Sequence, residues 1–187
     1  MLASFEDYQA LEASRSTLFA ADGRTPREDL PTTGTADYSG AAVFVFDGSR
    51  AEVDARLGSV IAAPQSAESS DVDAIGSVSV TADFSGSGSV GGSIDNLRTP
   101  DNQPVEGSLT LADTAINTGA AALGGPAVFQ GSVSGTLSAD GQTAEVTGQQ
   151  LGQFVGADGA MVESFLEGNL TGTEAAAWGG RFVAERD

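Results

Sequence analysis

Glu163 and Glu167 stand four residues apart near the end of the chain, and paired carboxylates of this kind are the groups that cleave glycosidic bonds. On an extended strand, residues four apart share a face at a separation of roughly 13 Å. Carboxyls that act as a retaining or inverting pair lie about 5 to 9.5 Å apart, so only partners from different strands could complete such a site. Tyr8, Tyr38, Met1 and Met161 are the side chains that could ligate a haem iron. Oxygen-rich stretches that could hold calcium are Ser70-Asp71-Val72-Asp73 and Asp95-Asn96 with Asp101-Asn102. They lack EF-hand spacing and read as solvated turn acids. No catalytic residue, metal ligand or cofactor is assigned, and the ligand-binding residues stay unassigned.

The residues that are missing narrow the chemistry further. The chain has no cysteine and no histidine, which removes thiolate metal sites, disulfides, the commonest general base and the usual zinc and haem ligands. Its basic residues are arginines only, and 8 of them against 26 acids leave a net charge of -18. Such a field repels phosphate backbones and anionic headgroups, so no nucleic-acid partner is expected. The first seven residues carry neither a positive n-region nor a continuous apolar run, and no segment approaches the length of a transmembrane helix.

The elements that must position these groups follow from hydrophobic periodicity. Ser4 with Asp7 three residues on forms a helix start, Phe5, Tyr8, Leu11 and Leu18 fall along one side, and Asp22-Gly23 ends the helix. Residues 24–34, with two prolines and mixed charge, predict an irregular linker. From Thr35 the period becomes two. Ala51, Val53, Ala55 and Leu57 alternate with Glu52, Asp54 and Arg56, which predicts a strand. Val78, Val80, Ala82 and Phe84, then Val90, Gly92 and Ile94 across Ser85-Gly86-Ser87-Gly88, predict a hairpin. Further strands are expected at 36–46, 107–116, 128–137, 142–155, 161–170 and 178–184, with turns at Ala139-Asp140-Gly141 and Ala157-Asp158-Gly159.

Eight or nine short-linked strands favour an all-β fold, an antiparallel up-and-down β-barrel of about eight strands with one N-terminal α-helix. The helix and linker occupy 1–34 and the barrel 35–187. Glycines inside strands, such as Gly40, Gly92, Gly135 and Gly168, point to close backbone approach or sharp coiling. Of Phe44, Phe46, Phe84, Phe129, Phe154, Phe165, Phe182 and Trp178, most are expected to fill the barrel or pack beneath the helix.

Four pieces of sequence also occur in a recognisable order: Ala36-Asp37-Tyr38-Ser39-Gly40-Ala41-Ala42, the hairpin from Val80 to Ile94, Phe129-Gln130-Gly131-Ser132-Val133-Ser134-Gly135, and the closing stretch from Gly168 to Ala184. Together they resemble transferrin-binding-protein-B-like β-barrel domains over the span from Gly34 to the C-terminus. The resemblance implies a bacterial protein, secreted or on the cell surface, with an eight-stranded barrel whose loops at one end bind a host iron protein, haemoglobin or haem, or serve a surface adhesin or immune-evasion factor. The absence of lysine and histidine sets the chain apart from the best-studied members.

The function read from the sequence is a non-enzymatic, exported or surface-displayed barrel that binds a macromolecule or small nutrient through rim loops. The alternative is a structural or assembly component that uses the barrel as a spacer and the N-terminal helix for docking. Residues 62–73 and 98–103 are the candidate recognition loops.

Overall fold

A computed structural model describes residues 3–118 and 125–187. Eight strands form a closed antiparallel meander: β1 (Thr35–Asp47), β2 (Ala74–Asp83), β3 (Ser89–Arg98), β4 (Glu106–Thr118), β5 (Ala127–Ala139), β6 (Gln142–Val155), β7 (Met161–Thr171) and β8 (Ala177–Arg186). β8 pairs back onto β1, with Ala42 opposite Phe182 and Phe46 opposite Trp178, so no sheet edge remains open. Alternate residues of each strand, among them Val78, Val80, Val133, Val146, Leu166 and Phe182, enter one apolar core inside the barrel. Ser79, Thr81, Ser134, Thr136 and Thr147 are exposed and occupy the opposite positions of the same strands. This is the reverse of a membrane-spanning barrel, whose outer band is apolar.

Helix α1 (Phe5–Ala21) starts as its sequence predicts. The Ser4 hydroxyl accepts the Asp7 N–H at 3.1 Å, and the Asp7 carboxylate accepts the Ser4 N–H at 2.8 Å. The stretch expected as a strand at Ala51 to Leu57 is instead a second helix, α2 (Arg50–Ala62), capped by Ser49. Its buried residues are Val53, Leu57 and Val60, spaced by four and three residues, whereas Ala51 and Ala55 are exposed. The apparent alternation came from two alanines that favour helix and need no burial. Val53 and Leu57 sit against Gly179 on the outside of β8.

Both helices lie on the outer wall at β1 and β8. Phe5 and Tyr8 of α1 and Val53, Leu57 and Val60 of α2 share a second core with the outward-facing Ala41, Val43, Val45 and Val183. These two strands are therefore buried on both faces, and β8 is buried continuously from Ala177 to Ala184.

The linker seals the lower end of the barrel. It contains one short 3-10 turn, Arg27–Asp29, where only irregular chain was expected. The Thr25 N–H donates to Phe154 O, the Ala127 N–H to Thr25 O and the Phe84 N–H to Gly34 O. Leu30 enters the inner core beside an aromatic cluster centred on Phe154, whose ring lies 5.9 to 6.1 Å from those of Tyr38, Phe84 and Phe129.

Near the upper end the inner wall is shaped around Trp178. Its indole Nε1 donates to Thr147 O at 3.1 Å. A Cβ on Gly168 would fall 2.0 Å from Thr147 O and 2.6 Å from Trp178 Nε1, and one on Gly148 would fall 2.6 Å from Trp178 Cζ2. Only hydrogen at these two positions leaves room for the ring and for the neighbouring strand. Gly168→Ala is expected to cost about 1–3 kcal/mol of stability by overpacking, read from the denaturant midpoint. Gly58→Ala, on the exposed side of α2 with nothing within 4 Å of the new methyl, should instead stabilise by roughly 0.5–1 kcal/mol. A neutral Gly168→Ala variant would contradict the packing around Trp178.

Candidate functional site

The upper end of the barrel, opposite the linker, is open. The ends of β1, β5, β6 and β7 and the loops at 99–105 and 172–176 surround a cleft of about 370 Å³. Its floor is apolar: Leu137, Ala144 and Leu170 are inward-facing wall residues of the inner core, and Phe46, Val105 and Ala175 pack against them. Phe46 stacks on Phe44 at 6.2 Å, and Phe44 lies 6.2 Å from Trp178, so filled core continues directly beneath the cleft. A volume of this size lies in the range of small-molecule sites.

Both candidate recognition loops reach this end. Residues 62–73 return from α2 to β2 and contribute Asp73 to the lining, while residues 98–103 connect β3 to β4 and contribute Thr99. Asp73 is held in place by two partners: its carboxylate accepts the Phe46 N–H at 2.8 Å and an Arg56 N–H at 2.8 Å, and Arg56 also donates to Phe46 O. The second loop is closed on itself, with the Thr99 N–H donating to Gln103 O and the Arg98 guanidinium to Asn102 Oδ1 at 3.2 Å. Two-residue reversal at Asp140-Gly141, with both φ values positive, forms a third part of the rim.

The candidate haem ligands among the described residues are divided between the inside and the outside of the barrel. The Tyr38 hydroxyl is inside the barrel and donates to Gly159 O at 2.9 Å, and burial pushes its pKa up to about 12. Tyr8 and Met161 belong to the outer core beneath α1, with the Tyr8 hydroxyl donating to Glu12 at 3.2 Å. Met1 lies outside the described residues. Asp71 caps the short turn Ser69–Asp71 by accepting the Glu68 N–H, and Asp95 accepts the Ser93 hydroxyl at 2.6 Å. Among the described residues no group of three acidic, histidine or cysteine side chains converges on one point.

Glu163 and Glu167 do share the outer face of β7, and each is claimed by a different helix. Glu167 is exposed and pairs with Arg50 at the start of α2 at 2.5 Å. Glu163 is 1% exposed and sits in a charge network that the sequence reading missed. Arg181 of β8 is buried between Glu163, at 2.5 Å, and Glu12 of α1. Arg15 of α1 donates to Glu163 at 3.0 Å, its Nε lying 2.8 Å from the other oxygen without hydrogen-bond geometry, and Gln153 donates to the same carboxylate. The Arg181 guanidinium also lies 4.6 Å over the ring of Phe165, which projects outward at 44% exposure and not into the barrel. Two sequence signals pointed here: the one charged residue within the otherwise apolar stretch from Ala177 to Ala184, and Glu12 four residues after Tyr8 on the apolar side of α1.

Burial opposes the charge of Glu163, but hydrogen bonds from Arg15 and Gln153 and the Arg181 charge outweigh it and hold the carboxyl below its ordinary value of 4.5. Burial likewise opposes the charge of Arg181, which Glu12 and Glu163 more than offset. A carboxylate held ionised between two guanidiniums is poorly placed to donate or accept a proton near neutral pH. The network's work is attachment: it fastens α1 to the barrel wall.

A depressed carboxyl contributes stability that is present above its unfolded pKa and is lost as pH falls through the lower folded value. Glu163→Gln should therefore be less stable than the parent at pH 7, and the difference should shrink on acidification below about 4.5, followed by thermal unfolding across pH. Arg181→Ala, which leaves Glu12 buried without its cation and Glu163 with Arg15 alone, should cost about 3–5 kcal/mol. A constant Glu163→Gln penalty from pH 7 to pH 3 would show that the pair is not ionised in the folded protein.

No family model and no curated protein matches the chain. Among solved structures, the chain is similar to transferrin binding protein B of Haemophilus parasuis Hp5, a vaccine antigen, in two mutant crystal structures. A double mutant is 16% identical with a TM-score of 0.47, and a single mutant is 14% identical with a TM-score of 0.46. Both matches cover 87% of this chain and 28% of the longer one. The chain thus spans less than a third of the length of these proteins.

Proposed function

We propose that the protein is a non-enzymatic binding barrel, exported or displayed on a bacterial surface, that takes its ligand at the open upper mouth. The observation that carries this reading is the asymmetry of the two ends. Below, the linker and the Phe154 cluster stopper the barrel; above, an apolar cleft of about 370 Å³ stays uncovered although its walls continue the inner core. Uncovered apolar surface in a concave site on a rigid scaffold is the usual mark of recognition. A protein ligand, as the name of the similar protein indicates for that protein, would present a side chain or loop tip to the mouth, and a small molecule would enter it whole. Support for a non-catalytic role comes from the carboxylates: Glu163, Glu167 and Asp73 are each bound to arginine.

The solvent face of α1 gives little support to a docking helix, since Glu6, Ala10, Ala13, Ser16 and Thr17 form no apolar stripe there, Phe5 and Tyr8 face the barrel, and the one exposed aromatic of the helix, Phe19, lies against the Arg15 guanidinium at 4.9 Å.

A fragment screen followed by methyl chemical shifts tests the reading. Hits should perturb Val105, Leu137, Leu170 and Ala175 together, and Ala175→Trp, a half-buried loop position at the mouth, should weaken them by about ten-fold or more while leaving the circular dichroism unchanged. Hits that map to the outer wall around Leu151 and Phe165, and that ignore Ala175→Trp, would overturn it.

A further inference from the structure

The chemistry of the mouth narrows what it can hold. Three carboxylates line the cleft, Asp73, Asp140 and Glu174, and no arginine does. Asp73 is neutralised locally by Arg56. Asp140 and Glu174 have no hydrogen-bond or ion-pair partner among the described residues, and both are exposed at the rim. The two are set on ordered backbone. Asp140 occupies a left-handed position, φ 51°, in the tight turn between β5 and β6. Glu174 follows Thr173, whose hydroxyl donates to Ala175 O, and the Ala176 N–H ties this loop to Asp47 O on β1.

The cleft therefore presents an apolar floor, with Phe46 as its aromatic member, and a rim of one sign. An anionic ligand would meet uncompensated carboxylates at the rim and a net charge of -18 beyond it. A neutral apolar ligand would use the floor alone. A molecule with an apolar body and one cationic head uses both, because the head stays at the exposed rim while the body is desolvated below, so the charge needs no burial. Resting on the mouth as the binding site, we propose that the ligand is a small hydrophobic cation, an alkyl or aryl ammonium or guanidinium.

Three probes of one shape separate the contributions: 3-phenylpropylammonium, 3-phenylpropanol and 3-phenylpropanoate, titrated by calorimetry and methyl shifts into the full chain. The ammonium should bind about ten-fold more tightly than the alcohol at low salt, and the carboxylate more weakly than either. Raising the salt to about 1 M should remove most of the preference. Asp140→Asn with Glu174→Gln, both at exposed positions, should bring the ammonium down to the alcohol's affinity and leave the alcohol unchanged. Equal binding of ammonium and alcohol at the mouth would overturn the cationic preference and leave the mouth standing as the site. Binding of none of the three would overturn both.

Discussion

Arg181 carries a guanidinium that has almost no contact with water, wedged between a carboxylate of its own sheet and one from a helix 169 residues away in sequence. Each of these ions is costly to bury by itself, and the cost is recovered only when Glu12, Glu163, Arg15 and Arg181 come together with their hydrogen bonds made. The placement of α1 is consequently specified far more sharply than apolar contact alone would require. A sliding or rotated helix would leave one charge buried without a partner. Once α1 is fixed, the linker that follows it is delivered to the lower end of the barrel, where its backbone bonds to Phe154 and Ala127 close that end. The asymmetry between stoppered and open ends thus begins with an ion network on the outer wall.

The interior obeys a different constraint, that of volume. A ring of eight strands encloses a space that side chains can fill, and here large aromatics are balanced by missing side chains opposite them. Phe129 lies over Gly152, Phe44 over Gly180 and Trp178 over Gly148 and Gly168. The glycines that weaken an isolated strand are therefore complements of the rings. This packing continues upward to Phe44 and Phe46 and stops at the rim, which is why the mouth has a firm floor and no channel below it.

Much of this was legible in the sequence where the signal is local. The Ser4–Asp7 capping box, the alternation from Val78 to Phe84 and the Asp140-Gly141 turn each contain their own instruction, and the structure follows them. The strand expected at Ala51 to Leu57 failed because alternation over seven residues with two alanines fits a helix equally well, and the deciding fact, burial against Gly179, lies on another element. The charge network and the mouth were hidden for the same reason. Glu163 reads as one of a pair with Glu167 until α1 and α2 divide them, and the cleft is composed of residues from Phe46 to Ala175 that only strand register brings together.

The chain has one tryptophan, and it occupies the wall just under the mouth, paired across the strands with Phe46. Its indole is fully buried, held by a single carbonyl and ringed by apolar neighbours. Any molecule that enters from above changes the polarity and packing one layer over that ring, while loosening at the lower end leaves it largely undisturbed. The protein thereby carries an intrinsic optical gauge positioned at the depth where occupancy and openness of the barrel can be told apart.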